Sequence, residues 1–217
     1  MKKQQNDFCV GICLIAAFLL WTAAVRFVDV QAIGPRGSTV GFAALNRFVH
    51  TCTGVHMSLY TVTDWLGLVP LGFMAGFALL GLVQWIQRKH LRKVDHSILV
   101  LGGFCMLLMA VYVLFEAVVV NYRPVLIAGV LEASYPSSTT LLVMCVMPVS
   151  AMQINARIRN NVFRRCAVST MTVFSVFTVI GRLLSGVHWV TDIIGGVLLS
   201  VGLVRMYCAV VSLKDKS

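Results

Sequence analysis

Charge is scarce in this sequence, and negative charge scarcest of all. Only 12% of its 217 residues are charged, with 8 acids against 18 bases. A soluble domain ordinarily gives about a quarter of its residues to charge, so a water-soluble globular fold is excluded. Proline is also rare, at five residues, and no Gly/Ser/Pro-rich tract, internal repeat or low-complexity segment marks a linker. One domain spanning 1–217 is therefore expected. Metal-ligand spacing is missing as well. The seven cysteines (Cys9, Cys13, Cys52, Cys105, Cys145, Cys166 and Cys208) lie mostly in or beside apolar runs and read as small packing residues. No metal, cofactor or structural disulfide is expected. The net charge of +10 would suit nucleic acid, but the bases cluster in short segments between apolar runs. That pattern sets membrane topology, and nucleic acid is not an expected partner.

What the chain has in abundance is apolar surface, with 59% hydrophobic residues. About 20 apolar residues cross a bilayer as a helix. Six such spans are expected, at approximately 8–25, 59–86, 97–120, 138–153, 166–185 and 189–211, giving an all-α integral membrane bundle. The first is long for a secretory signal core and reads as an uncleaved anchor. Twelve basic residues, from Lys2 and Lys3 through the Arg88–Lys93 and Arg157–Arg165 stretches to Lys214 and Lys216, fall on one side. Five (Arg26, Arg36, Arg47, Arg123 and Arg182) fall on the other. This asymmetry places both termini in the cytoplasm and the loop 121–137 outside, in a plasma membrane. Between the first two spans, Phe42, Leu45, Phe48 and Val49 recur at helical spacing beside Arg47 and His50, as in a short outer interfacial helix. Gly72 and Gly76, with Gly102, Gly103, Gly195 and Gly196, suit close helix packing. Gly181 and Gly186 flank a group of polar residues and could let backbone approach a ligand.

That group carries the chemistry. Arg182, His188 and Asp192 stand where one apolar span ends and the next begins, and ionisable groups at such depth default to a functional reading. His188 and Asp192 are four apart, on one helix face, as a histidine oriented by a carboxylate would be. Arg182 brings a planar, permanently charged fork suited to an anion such as phosphate. Two further outward pieces fit the same chemistry: Asn121-Tyr122-Arg123-Pro124, and Tyr135-Pro136 followed by Ser137, Ser138, Thr139 and Thr140. The hydroxyl residues either cap a helix behind Pro136 or present its N-terminus to phosphate, and the two readings are compatible. Phosphoryl chemistry at a membrane surface is the expectation.

Over roughly 116–196 these pieces resemble the type 2 phosphatidic acid phosphatase (PAP2) superfamily of membrane lipid phosphate phosphatases. The family pattern is Lys, six residues and Arg-Pro; then Pro-Ser-Gly-His; then Ser-Arg, five residues, His, three residues and Asp. Arg123-Pro124, Pro136-Ser137, Arg182, His188 and Asp192 match it. Glu116 stands in place of the lysine, Ser138 of the glycine, Thr139 of the second-motif histidine and Gly181 of the third-motif serine. The resemblance implies that His188 attacks phosphorus to form a phosphohistidine and that Asp192 holds its ring. Arg123, Arg182, Ser137, Ser138 and Thr139 would bind the phosphate, without a metal. The substrate would be a lipid phosphate. Thr139 cannot serve as a general acid near neutral pH, so a prenyl diphosphate, whose leaving phosphate is a weak base, suits the site better than a phosphate monoester. Glu116 is either a relocated acid or the structural partner of one of the arginines. A catalytically silent lipid-phosphate binder and a lipid phosphotransferase are the alternative functions.

Overall fold

The computed structural model describes residues 2–213, so Lys214 and Lys216 of the topology argument lie outside the described residues. The long elements of the described chain are all α-helices: α1 (Lys2–Phe27), α2 (Ala43–Thr53), α3 (Met57–Leu66), α4 (Leu68–Arg88), α5 (His96–Ala117), α6 (Ser138–Arg157), α7 (Asn161–Leu184) and α8 (Val190–Val211). Six segments are long and apolar enough to span a membrane, with α3 and α4 together forming the second. The second expected span is thus broken. Pro70 has no N–H to return to the Leu66 carbonyl, and the Gly67 N–H tightens the turn onto the carbonyls of Thr63 and Asp64 at 3.1 and 3.0 Å. The break turns α3 into a separate short rod beside α7.

Lipid tails are as apolar as leucine, so the helices are held by close packing and buried polar contacts rather than by exclusion of water. α6 and α8 are the most enclosed helices, and α1 lies along α8. A Cβ at Gly202 would come within 3.0 Å of Ile15, and one at Gly11 within 2.9 Å of Met206, so both glycines bring α1 and α8 together. At the far end the Asp7 carboxylate accepts from Arg205 at 2.9 Å, which places the start of α1 beside the end of α8. Gly195 and Gly196 pack as the sequence suggests, against the Tyr135 ring and Thr140. Gly72, Gly76, Gly102 and Gly103 do not, since a Cβ at any of them would meet nothing within 4 Å. Helix periodicity marks a small residue but not the face a neighbour will occupy.

The expected interfacial helix is α2. Its Leu45 and Phe48 are exposed, while Ala43 and Asn46 are buried. Phe42, at its start, stacks on Trp21 of α1 at 5.1 Å between ring centroids.

Replacing Gly202 with leucine should cost about 1–3 kcal/mol through overpacking of α1 on α8. Gly76→Leu should stay within about 0.5 kcal/mol. Thermal unfolding midpoints in detergent check the contrast.

Candidate active site

The loop between α7 and α8 has to turn within a few residues. Gly186 makes that possible with φ of +67°, and a Cβ there would sit 1.9 Å from the Gly54 carbonyl oxygen. A Cβ at Gly181 would likewise lie 2.7 Å from the Thr63 methyl. Both glycines therefore serve close packing. His56 donates its backbone N–H to Ser185 at 2.9 Å, and the His50 ring meets the Gly186 carbonyl at 3.1 Å. The segment before α3 thus seats the turn that delivers His188.

α8 begins at Val190, and Asp192 reaches back from its first turn to accept the Trp189 backbone N–H at 3.0 Å. The other Asp192 oxygen takes the Asn121 side-chain amide at 3.3 Å. Next to it, Thr191 is held by Asn46 of α2, and its carbonyl accepts the Trp21 indole N–H at 3.1 Å. The Trp189 indole N–H reaches the Tyr122 carbonyl at 2.8 Å and so fixes the strand-like segment carrying Arg123.

On this frame four of the residues singled out in the sequence converge. Arg123 Nη1 lies 3.3 Å and Arg182 Nη2 3.4 Å from His188 Nε2. His188 Nδ1 faces Asp192 Oδ2 at 3.7 Å, longer than a hydrogen bond. Arg182, His188 and Asp192 are fully buried, and Arg123 nearly so. Burial holds the His188 imidazole well below the usual histidine pKa; the two guanidinium charges push the same way, and the Ser134 backbone opposes them. A neutral ring offers Nε2 as acceptor to both arginines. Each arginine also meets a carboxylate: Glu132 lies 3.0 Å from Arg123 Nε, and Asp64 lies 3.4 Å from Arg182 Nη1. Arg182 Nε, although buried, has no hydrogen-bond partner among the described residues. Tyr60 of α3 underlies the pair, its ring centroid 5.9 Å from Arg123 Cζ and 5.0 Å from Arg182 Cζ.

The remaining candidates are arranged differently. Ser137 caps α6, accepting from the Thr140 hydroxyl at 3.0 Å, while its own N–H goes to the Asp192 carbonyl at 3.2 Å. Ser138 lines a narrow cleft with His188, Tyr112, Ser134 and Glu116. Thr139 is buried beside Gly67, where a Cβ would lie 3.3 Å from its methyl. Glu116 is exposed and makes no ion pair among the described residues. The arginine partnership expected for it is corrected: Glu132 and Asp64, carried on elements that approach the arginines from other sides, hold those positions. No group of three His, Cys, Asp or Glu suited to a metal ion occurs among the described residues.

The family model of the PAP2 superfamily matches residues 119–215, the stretch that contains Arg123, Arg182, His188 and Asp192. Over this stretch the chain is similar to the PAP2 superfamily. The fold as a whole is similar to that of the first transmembrane PAP2 type phosphatidylglycerolphosphate phosphatase from Bacillus subtilis. That likeness has a TM-score of 0.63 and covers 93% of this chain and 96% of that one, at 19% sequence identity. No curated protein matches the chain. The solved PAP2 fold extends the likeness to α1–α5, beyond the matched stretch. Tyr60, Asp64 and Asn46, which all lie before that stretch, escape motif reading. Asp64 stands out as an isolated charge in an apolar span, but nothing in the sequence ties it or Tyr60 to the arginines.

Because the folded protein keeps His188 neutral, an unfolded chain takes up a proton below pH about 6.5 that the folded one refuses. Stability should fall as pH drops through that value, by at most about 1.4 kcal/mol per pH unit. His188→Gln should flatten this slope in unfolding scans from pH 7.5 to 5.5.

Proposed function

We propose that the protein is a membrane lipid phosphatase that acts on a lipid phosphate or diphosphate through His188. The observation that carries this reading is the convergence of two buried guanidinium groups on the Nε2 lone pair of a neutral, buried imidazole. In a PAP2 reaction Nε2 attacks phosphorus, the bond from phosphorus to the leaving oxygen breaks, and water then releases phosphate from the phosphohistidine. Arg123 and Arg182 turn their N–H groups from Nε2 to the phosphoryl oxygens, where charge stabilisation and positioning supply most of the acceleration. Asp192 is held in place by Asn121 and the Trp189 N–H, and favours the ring tautomer that leaves Nε2 free. Ser138 borders the reacting group across the cleft, and Ser137 and Thr139 shape the start of α6 behind it.

The leaving group decides the substrate. A threonine hydroxyl stays protonated near neutral pH, and Thr139 is turned toward Gly67, so the second motif supplies no acid. A prenyl diphosphate, which on attack at its terminal phosphorus expels a weakly basic prenyl phosphate, is the favoured substrate class. Glu116 shares the cleft with His188 and is the carboxyl group best placed to assist a more basic leaving group. The basic-residue asymmetry supports cytoplasmic termini and an outward-facing site, with one domain spanning the chain. The pairing of Asp7 with Arg205 sets the start of α1 beside the last turns of α8, at the end of α8 away from His188.

Detergent-purified protein should release phosphate from prenyl diphosphates faster than from phosphatidic acid, and His188→Ala should reduce release by about 1,000-fold or more. Faster turnover of phosphatidic acid would overturn the diphosphate preference. Lipid binding with no turnover of any substrate would identify a silent relative, and transfer of label to a lipid acceptor a phosphotransferase. Glu116→Gln should slow monoester hydrolysis more than diphosphate hydrolysis; an equal effect on both would remove its role as acid.

A further inference from the structure

Two like charges aimed at one imidazole nitrogen repel each other, and burial denies them the water that would screen them. The carboxylates that offset them act separately. Glu132 meets Arg123 alone and Asp64 meets Arg182 alone, and these two acidic side chains are 40% and 55% exposed. Tyr60 is different. Among the described residues its ring is the one aromatic surface that both guanidinium groups share, with centroid distances of 5.9 and 5.0 Å. The face of an aromatic ring carries negative quadrupole charge and attracts cations within about 6 Å. α3 is therefore built to hold the arginines, with Tyr60 and Asp64 one turn apart on one face.

We infer that Tyr60 is a positioning residue whose ring keeps Arg123 and Arg182 convergent as a two-armed clamp for the phosphoryl group. This rests on the phosphate-binding reading of the site and extends it to a helix outside the family-matched stretch. The role belongs to the ring face, and the phenolic hydroxyl contributes nothing to it. Neither arginine need touch Tyr60 through a hydrogen bond, which is why the pairing leaves no mark in a motif.

The test is binding of inorganic phosphate to the full-length, detergent-purified chain, measured calorimetrically. The variants are Tyr60→Phe, a series with progressively fluorinated phenylalanines at the same position, and Tyr60→Leu. Fluorination withdraws charge from the ring face while nearly preserving its shape, so folding is not at issue in that series. Tyr60→Phe should bind within twofold of the wild type. Affinity should fall stepwise with each added fluorine, and Tyr60→Leu should bind about tenfold more weakly. In turnover assays the same series should raise KM more than it lowers kcat. A flat fluorination series overturns the inference, as does a Phe variant as weak as the Leu variant. A wild type that binds phosphate no better than Arg182→Ala overturns the phosphate-site reading itself, an outcome distinct from the other two.

Discussion

The rest of the structure depends on keeping a neutral imidazole buried between two cations. A guanidinium pair at this depth is stable only when opposite charge, aromatic surface or an anionic ligand lies close by. Every element around His188 supplies one such group. The loop before α6 brings Glu132, α3 brings Asp64 and Tyr60, and the start of α8 brings Asp192. The site is poised toward an anion because these counter-charges are individually weak. Two of the carboxylates are about half exposed, and the third is already committed to Asn121 and the Trp189 N–H.

The scaffold serves the same constraint. Thr191 and Asp192 form a junction where α1, α2, the loop after α5 and α6 all attach, through Trp21, Asn46, Asn121 and Ser137 respectively. Hydrogen bonds of this kind are directional, and a phosphoryl-transfer site gains most of its effect from direction. The exposed helix faces carry no such demand, and there a Cβ at Gly72, Gly76, Gly102 or Gly103 would meet nothing within 4 Å.

Reading the residues alone recovered the spans to within a few positions at most ends, because lipid imposes a length and a composition that show in a single chain. It also picked out Arg123, Arg182, His188 and Asp192, since charged groups in apolar surroundings stand out without a structure. It missed the break at Gly67, where an otherwise apolar run conceals the effect of Pro70. It also left Glu116 open between a relocated acid and the partner of an arginine, a choice that helical spacing could not make. That spacing describes one helix and cannot tell which side chains approach from another.

Sequence by itself determined that this is a multi-pass helical membrane protein with Arg182, His188 and Asp192 set where two spans meet, because bilayer thickness and the cost of buried charge act on each segment independently of the others. Tertiary structure alone decided which acid faces which arginine, that Thr139 turns toward Gly67, and that Tyr60 lies beneath both guanidinium groups. Those relations join residues as far apart as Tyr60 and Arg182. They follow from how α3, α7 and the loop before α6 pack together, which no local pattern in the chain encodes.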